Sequence, residues 1–474
     1  MRPALLCRIS FIVVLFIAVS CSKENDPTPQ KSIENELLSV KITKAGNPQL
    51  SKDAFVFKFK EEFYITLPPG SNLSGIKVEF EYSPKATLLV DNRPVNGTSD
   101  ILDVSQTLNV VVRSEAGSQK KFVIMAHEGI RELDELIYNY KTRYDIAGVS
   151  YAISSTEKSE ILYKKGIGFA IVEEQERVRP DHLFRLASVS KQFTALCVMK
   201  LVDEGLLSVE DKVFGREGIL KDEFNAVPER ATLVTVRHLL DHTSGWTSNP
   251  DPMFTSSFRG WTLHQLIQHV LGLQQNIPGA GYSYYNLGYG MLGMVIEKVT
   301  GKPYEVYLKE VLAKAGISDI HVGGDRSGRR PNEVVYYSQD GTNGYGNNME
   351  VIAAAGGVIA STEQMLKLLP YIDGMNNVPD ILSPETRKLM FTKSSTASAT
   401  SSTFYALGWR GGHRLFPDSF YHGGNLAGTA TMWVVGPQYN VVLLLNSRSY
   451  KDGFDDNMYY LMEDLLKTSS GINL

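Results

Sequence analysis

The sequence predicts an all-β sandwich followed by a larger α+β domain, and three patterns along the chain predict it. Apolar residues alternate with polar ones in short segments up to about residue 128. Beyond that point the apolar spacing becomes helical, and strand-like alternation returns near the C-terminus. Strands at both ends of a domain can pair with each other, so the α+β domain is expected to contain one sheet with a helical insertion beside it.

Residues 1–20 have the pattern of a secretion signal. Arg2 and Arg8 precede an apolar run from Ile9 to Val19, and small residues follow. A basic segment followed by a short apolar segment is typical of a signal peptide. The run is shorter than the ~20 apolar residues of a membrane-spanning helix. The mature chain is therefore predicted to lie outside the cytoplasm.

Cys21 is the predicted point of membrane attachment. The run Ala18-Val19-Ser20-Cys21 resembles a bacterial lipobox, whose cysteine is lipidated after cleavage and becomes the mature N-terminus. Ordinary cleavage without a lipid on Cys21 is the alternative. Residues 21–33 are polar and contain Pro27 and Pro29, as expected of a tether. The expected location is the cell envelope, on the periplasmic side of a bacterial membrane or at the cell surface.

Residues 34–128 are predicted to form an immunoglobulin-like β-sandwich. Their alternating segments are short, are separated by turn-forming residues and place one face of each strand on a core. Examples are Leu38–Ile42, Phe55–Phe59, Ile76–Phe80 and Leu108–Val112. Two roles stay open for this domain: a spacer that lifts the rest of the chain off the membrane, or a module that binds carbohydrate or cell wall.

Residues 129–474 are predicted to form the α+β domain. Its first helix covers residues 130–144, and residues 148–154 and 161–168 form a hairpin. The other predicted elements are helices at 191–205, 262–273, 287–299 and 456–466 and strands at 429–435 and 441–446. The hairpin and the final strands are expected to share one sheet.

Ser188 is the strongest candidate nucleophile. It stands three residues before Lys191 at the start of a long predicted helix. This spacing places both side chains on one helix face, so the lysine can take the hydroxyl proton. Unpaired N–H groups at the helix start favour developing negative charge. The same spacing recurs at Ser20, Ser74, Ser118 and Ser155. The apolar lead-in and the long helix behind it distinguish Ser188.

Two later segments carry groups that complement Ser188. Tyr284 can relay protons to a serine hydroxyl, and Asn286 can hold a substrate carbonyl or the lysine. The segment His422-Gly423-Gly424-Asn425 is predicted to lie on an edge strand, where glycine allows a substrate backbone to approach. The N–H groups of Ser188 and Asn425 are expected to form an oxyanion hole. The structural alternatives are a helix N-cap for Ser188, a core aromatic for Tyr284 and a structural hydrogen bond for His422.

The three segments together resemble the motifs of the serine β-lactamase and penicillin-binding-protein family, which includes class C β-lactamases, D,D-peptidases, D-aminopeptidases and related esterases. Further landmarks of that family are similar to residues 201–205, 235–245, 356–357 and 408–409. The resemblance covers roughly residues 130–470. It implies a β-lactamase/transpeptidase-like fold, in which an antiparallel sheet is flanked by helices and joined by a helical subdomain.

The resemblance also implies roles for the candidate residues. Ser188 would be acylated, Lys191 and Tyr284 would share general base and acid work, and Asn286 would position substrate. Which of Lys191 and Tyr284 is the base stays open, because both side chains titrate near pH ~10 when free. The third segment departs from the Lys-Thr-Gly of class C β-lactamases. His-x-Gly is more similar to D,D-peptidases, D-aminopeptidases and esterases, so efficient β-lactam hydrolysis is not the leading expectation.

Composition narrows the partners further. The chain has 48 basic and 52 acidic side chains, a net charge of −4 and no basic stretch, so no nucleic-acid partner is expected. No cofactor is expected. A metal site at His238 and His242, with Asp241 between them, is the weaker alternative to a helix end packed into a turn. Cys197 lies in an apolar run and is expected to be a buried, inert thiol.

The function predicted from the sequence is acyl transfer to water through an ester on Ser188. The expected partner is a small peptide or ester, and peptidoglycan stem peptides that end in D-amino acids are the leading candidates. A β-lactamase is one alternative. A cell-wall-binding or sensory protein that keeps the fold but turns nothing over is the alternative from another class.

Overall fold

The computed structural model describes residues 30–247, 251–375, 377–394, 396 and 402–474. The predicted signal peptide, Cys21 and most of the predicted tether lie outside the described residues. Over the part of the chain that is described, no helix combines the length and the apolar character needed to cross a bilayer.

The N-terminal region consists of two packed sheets. Its strands are β1 (Leu37–Lys41), β2 (Phe55–Phe59), β3 (Glu62–Leu67), β4 (Ile76–Tyr82), β5 (Thr87–Val90), β6 (Arg93–Val95), β7 (Thr98–Leu102), β8 (Leu108–Arg113) and β9 (Gln119–Glu128). One sheet has the order β1-β4-β7 and the other β2-β3-β9-β8-β5-β6. Alternate side chains of both sheets, such as Val78 and Val110, share one core. The region is thus β-rich, while its likeness to immunoglobulin domains stays a prediction.

One antiparallel sheet organises the larger domain. The strands of this domain are β10 (Gly148–Ser155), β11 (Ile161–Ile171), β12 (Glu176–Arg177), β13 (Phe184–Arg185), β14 (His321–Val322), β15 (Tyr337–Ser338), β16 (Val358–Ala360), β17 (Phe404–Tyr405), β18 (Arg410–His413), β19 (Phe416–Leu426), β20 (Thr429–Val435), β21 (Tyr439–Leu445) and β22 (Ser447–Arg448). The sheet has the order β12-β11-β10-β21-β20-β19-β18-β17. Strand β10 pairs with β21, so both ends of the domain share one sheet. This confirms the α+β prediction.

Helices cover both faces of that sheet. The α-helices described in this domain are α1 (Arg131–Arg143), α2 (Ser190–Asp203), α3 (Val236–Leu240), α4 (Leu263–Leu271), α5 (Asn286–Thr300), α6 (Tyr304–Ala313), α7 (Thr362–Leu368), α8 (Pro384–Met390) and α9 (Phe454–Gly471). On one face α1 meets α9, where Tyr140 donates a hydrogen bond to the Phe454 carbonyl. On the other face, Phe193 of α2 stacks on Trp433 of β20 at 5.8 Å. Alternate residues of β20 therefore face opposite cores.

A partly buried polar contact joins the two domains. Arg177 of the larger domain donates to the carbonyls of Ser105 and Ala126 in the sandwich, each at 2.7 Å. Beside it, the fully buried carboxylate of Asp134 accepts hydrogen bonds from both domains. Its donors are Thr66, His127, Tyr151 and Tyr163. The domains are therefore connected by packed side chains as well as by the chain itself.

The prediction of an edge strand for His422 to Asn425 is wrong for strand β19 as a whole but holds for this segment. Strand β19 lies between β18 and β20 in the sheet. Strand β18 is short, however, and its pairing with β19 ends at Tyr421. Among the described residues, the end of β19 that carries the glycines thus pairs only with β20. Helix α9 is also longer than predicted and ends at Gly471. The prediction ended at residue 466 because the final residues lack the apolar spacing on which it depended.

Candidate active site

Ser188 lies in a tight turn that leads into α2. Residues Ala187–Val189 form a 3₁₀ turn, and the α-helix begins at Ser190. Ala187 has φ +49°, a left-handed conformation that costs free energy in any residue with a Cβ atom. The Leu186 N–H donates to the Val358 carbonyl at 2.9 Å and ties the turn to β16. The serine therefore sits on a strained, well-anchored turn at the helix start.

Gly424 brings β19 against this turn. A Cβ atom at Gly424 would lie 2.5 Å from the Leu186 carbonyl oxygen and 2.9 Å from the Ala187 Cβ. No side chain fits at that distance, so glycine is required for the strand to approach the nucleophile. Gly423 is partly exposed beside it, and Asn425 is exposed, with its amide donating to Asp455 at 3.4 Å. The oxyanion role of the Asn425 N–H stays a prediction.

Lys191 is fully buried beneath Ser188. Its Nζ lies 3.3 Å from Ser188 Oγ, 2.8 Å from Asn286 Oδ1 and 2.6 Å from the Ala355 carbonyl oxygen. All three partners are neutral oxygens. Burial holds the lysine pKa well below its usual range, the nearby Asp251 acts to raise it and Arg410 acts to lower it further. The net effect favours the neutral amine, which is the form that accepts a proton.

Tyr284 covers Ser188 and Lys191 from the loop before α5. Its ring centroid lies 4.9 Å from Lys191 Nζ. In the described part of the chain its hydroxyl is buried without a hydrogen-bond partner. Burial raises the pKa of the phenol, and the Ser188 hydroxyl beside it acts in the opposite direction. Tyr284 is therefore held as a neutral phenol. Burial thus moves the pKa values of the two candidate bases in opposite directions, down for Lys191 and up for Tyr284.

Asn286 is partly buried and contacts Lys191. Its Oδ1 accepts from Lys191, and its Nδ2 donates to Asp251 Oδ2 at 3.0 Å. Of the two roles that the sequence left open for this amide, holding the lysine is the one seen here. Asp251 is not among the site residues predicted from the sequence. Nothing in its sequence context distinguished it from any other loop carboxylate.

His422 is a neutral imidazole with both nitrogens engaged. Its Nδ1 donates to the Gly423 carbonyl at 2.7 Å, so its Nε2 accepts from the Tyr405 hydroxyl at 3.0 Å. Burial, together with the charges of Arg410 and Lys191, holds the pKa of His422 well below its ordinary value. The third motif therefore contributes no positive charge.

Arg410 supplies the positive charge at this end of the site and is not among the residues predicted from the motifs. Its guanidinium carbon lies 5.4 Å from the Tyr284 ring centroid and 5.9 Å from that of Tyr405. Within the described residues no ion pair is formed by Arg410, and the neighbours that raise the pKa of its guanidinium are tyrosines. It directly follows Gly408 and Trp409, which had been noted as landmarks, so its position offered a signal.

The two histidines considered as metal ligands have separate roles. His238 Nδ1 accepts from the Thr235 N–H and completes a capping box at the start of α3. His242 Nδ1 accepts from the Tyr285 N–H, and its ring packs 4.3 Å from that of Tyr284. His242 therefore positions the tyrosine loop. Cys197 is buried on α2, and burial raises the pKa of its thiol.

Comparison with known proteins places these residues in a wider context. The profile of the family described as Beta-lactamase matches residues 133–467. The chain is 31% identical over 207 residues to penicillin-binding protein 4* of Bacillus subtilis. That alignment covers 38% of this chain and 41% of the relative. The chain is 24% identical over 335 residues to protein flp of Staphylococcus aureus strain N315, which covers 69% of this chain and 64% of that protein. The match thus spans less than two thirds of either relative.

The fold is similar to that of solved structures. D-amino acid amidase from Ochrobactrum anthropi SV3, crystallised with L-phenylalanine amide, superposes with a TM-score of 0.59. The superposition covers 73% of this chain and 99% of the amidase, at 22% sequence identity. At that identity the likeness concerns the fold alone.

Proposed function

Because this chain belongs to the beta-lactamase family, we propose that it hydrolyses peptides with a free C-terminal carboxylate, through an acyl-enzyme on Ser188. The family resemblance inferred from the three motifs is thereby confirmed, and with it the serine hydrolase class. The observation that carries the proposed chemistry is the buried Lys191 amine 3.3 Å from Ser188 Oγ. Burial lowers the pKa of this amine, and a lowered pKa makes a lysine a more competent base at ordinary pH.

The first step uses the opposite protonation of Lys191 and Tyr284. Neutral Lys191 takes the proton from Ser188 Oγ as that oxygen bonds to the substrate carbonyl carbon. The carbonyl C–N bond then breaks, and the leaving amine receives a proton from the Tyr284 phenol, which regains one from Lys191. The products of this half are an ester on Ser188 and a free amine.

The second half returns the enzyme to its resting state. Water adds to the ester carbonyl and gives up a proton to the neutral Lys191 amine. The bond between Ser188 Oγ and the acyl carbon breaks, and the proton returns to Oγ. N–H groups beside the carbonyl oxygen would stabilise both tetrahedral intermediates. We assign this role to the N–H groups of Ser188 and Asn425.

Arg410 supports a substrate with a carboxylate end. A guanidinium without an acidic partner, packed on tyrosine rings, attracts a carboxylate strongly because little water screens the pair. The neutral His422 leaves Arg410 as the charged group on this side of the site. The D configuration is proposed from the name of the structurally similar D-amino acid amidase. Peptidoglycan stem peptides combine both properties.

The test compares a short peptide that ends in D-Ala-D-Ala with the same peptide as its C-terminal amide. We expect the full chain to release D-Ala from the free acid at least ~10-fold faster in kcat/KM than it cleaves the amide. Arg410→Ala should remove that preference mainly by raising KM for the acid. Arg414→Ala, a change to an exposed arginine on the same segment, is the matched control and should leave the preference intact. Equal cleavage of acid and amide by the wild-type chain would contradict the carboxylate proposal.

Covalent labelling tests the acyl-enzyme independently of substrate. We expect a fluorescent penicillin to leave an adduct on Ser188, located by mass spectrometry, and Ser188→Ala to lose it. Fast release of hydrolysed penicillin would support a β-lactamase. Failure of penicillins, esters and peptides alike to react would support a binding protein that keeps the fold.

The location of the enzyme is a separate proposal. We propose that Cys21 carries a lipid that holds the chain in the cell envelope, with the sandwich domain as a spacer. The proposal rests on the lipobox-like sequence. In bacterial cells, detergent phase partition should place the wild-type chain with membrane proteins and the Cys21→Ala variant in the aqueous phase. Equal partition of the two would contradict a lipid anchor.

A further inference from the structure

Asp251 is a partly buried carboxylate that contacts the catalytic cluster through Asn286. Its Oδ2 accepts from the Asn286 backbone N–H at 3.2 Å and from Asn286 Nδ2 at 3.0 Å. Its Oδ1 accepts from the Met253 N–H at 3.0 Å. Both oxygens are thus occupied, and two of the three bonds come from Asn286.

These contacts determine which way the Asn286 amide faces. Burial raises the pKa of Asp251, while its hydrogen bonds from Asn286 and Met253 favour the ionised form. That form only accepts hydrogen bonds, whereas the amide has one accepting and one donating end. The NH₂ end must therefore point at Asp251, and the oxygen must point at Lys191 Nζ, 2.8 Å away. A flipped amide would place oxygen against carboxylate and NH₂ against the lysine. Asp251 excludes that arrangement.

We propose that Asp251 is a positioning residue, which orients the Asn286 amide so that its oxygen holds Lys191 Nζ against Ser188. This inference rests on the proposed function. The chain of contacts runs from Asp251 through Asn286 to Lys191 and then to Ser188 Oγ. Asp251 touches neither the nucleophile nor the base, so its effect on the reaction passes through the amide and through its charge.

The charge of Asp251 also acts on the lysine. The groups that face Lys191 are Asp251, Arg410, His242 and His422, together with the rings of Tyr284 and Tyr289. Asp251 raises the lysine pKa and Arg410 lowers it. Removing the carboxylate charge should therefore lower the pKa of Lys191 further. Activity that requires the neutral amine rises as pH passes that pKa, so the rise should move to lower pH.

The experiment measures how fast a fluorophosphonate probe labels Ser188 in the full chain across pH. This readout needs no knowledge of the natural substrate. For Asp251→Asn we expect the plateau rate to fall at least ~10-fold, because the new amide permits Asn286 to flip, and the midpoint of the rise to move to lower pH. In an Asn286→Ala background, the same change should alter the plateau less than ~2-fold, while the midpoint shift persists. Equal plateau losses in both backgrounds would overturn the proposal.

Two further variants separate positioning from folding and from charge. Asp251→Glu keeps the charge but displaces the carboxylate, so the plateau should fall while the midpoint stays near that of the wild type. A midpoint shift of the size seen in Asp251→Asn would overturn the proposal. Asp134→Asn removes a buried carboxylate at the domain interface, far along the chain from the site, and should change neither plateau nor midpoint per folded molecule. Absence of Ser188 labelling in the wild-type chain would instead reject the proposed function, before any Asp251 variant is compared.

Discussion

Two fully buried ionisable groups, Asp134 at the domain interface and Lys191 in the site, are in contrasting surroundings. Asp134 accepts hydrogen bonds from four side chains at 2.5 to 2.9 Å. Lys191 has three neutral oxygens, and the polar atoms around it are incompletely paired. Among the described residues, the Tyr284 hydroxyl and His242 Nε2 have no hydrogen-bond partner. The difference lies in how completely each buried network is satisfied.

The pKa directions follow from that difference. Burial acts to raise the pKa of Asp134. The hydrogen bond and charge of His127, together with the hydrogen bonds from Tyr151 and Tyr163, outweigh the effect of burial, so the pKa is lowered. Asp134 therefore keeps its charge. Burial dominates at Lys191 and favours loss of its charge. A fully paired charge serves stability, whereas an incompletely paired one can exchange a proton.

Lys191→Met should have the largest effect, and the effect should fall on activity and not on stability. We expect the rate of Ser188 labelling to fall by about 10³-fold or more, because the base is lost. Thermal unfolding should occur at an equal or higher temperature, since a buried amine is replaced by an apolar side chain of similar length. Labelling kinetics and calorimetry check the two halves. A variant that unfolds readily but still labels would reverse the roles assigned here.

Asp134→Ala should have the opposite profile. Removing the carboxylate leaves three buried donors and the partly exposed His127 without this acceptor, so we expect a loss of about 3 kcal/mol in the free energy of unfolding. Labelling of Ser188 per folded molecule should be unchanged. Denaturant unfolding provides the measurement, with Asp418→Ala, a change at an exposed position, as the control that should stay within ~0.5 kcal/mol of the wild type. Loss of labelling in folded Asp134→Ala would show that the interface supports catalysis.

Tyr284→Phe tests whether an unpaired polar group serves chemistry at the expense of stability. Removing the hydroxyl should slow peptide hydrolysis by about 10²-fold, because the leaving amine loses its acid. The free energy of unfolding should stay equal or rise, because the hydroxyl is buried without a partner. Steady-state kinetics and denaturant unfolding are the measurements. A clear loss of stability with full activity would make Tyr284 a core aromatic.

The pH dependence of stability should differ between the regions. Asp134 has a pKa below that of the unfolded chain, so its contribution is complete above the unfolded value of ~3.9 and is lost as pH falls through the native pKa. The difference in unfolding free energy between the wild type and Asp134→Asn should therefore be constant from about pH 5 to 7 and shrink below about pH 4. Denaturant unfolding at several pH values measures it. A difference that grows on acidification would contradict the assignment.

The sequence predicted elements whose pattern is local. Strand β2 was predicted with its observed bounds, and the hairpin and central helices within a few residues, because alternation and helical spacing are properties of neighbouring residues. The position of β19 inside the sheet was missed, since pairing with β18 depends on a contact between separate segments.

The residues of the candidate site likewise include some that local motifs identify and others that only contacts between separate segments identify. The motifs identified Ser188, Lys191 and Tyr284, and the structure brings these three together. Asp251 was missed because a loop carboxylate looks ordinary in sequence, and Arg410 was missed although it directly follows two family landmarks. Their meaning comes from the side chains that folding places beside them.

The smallest expected effect compares two residues with positive φ, Ala187 beside the nucleophile and Lys85 in a turn of the sandwich. Replacing either by glycine should change the free energy of unfolding by no more than about 1 kcal/mol, because relief of strain opposes the greater freedom of the unfolded chain. Only Ala187→Gly should slow labelling of Ser188, by a few-fold, because a looser turn holds the hydroxyl less firmly against Lys191. Labelling rates and denaturant unfolding of both variants provide the check. Equal labelling by both variants would mean that the strain at Ala187 follows from packing against Gly424 and contributes nothing to the reaction.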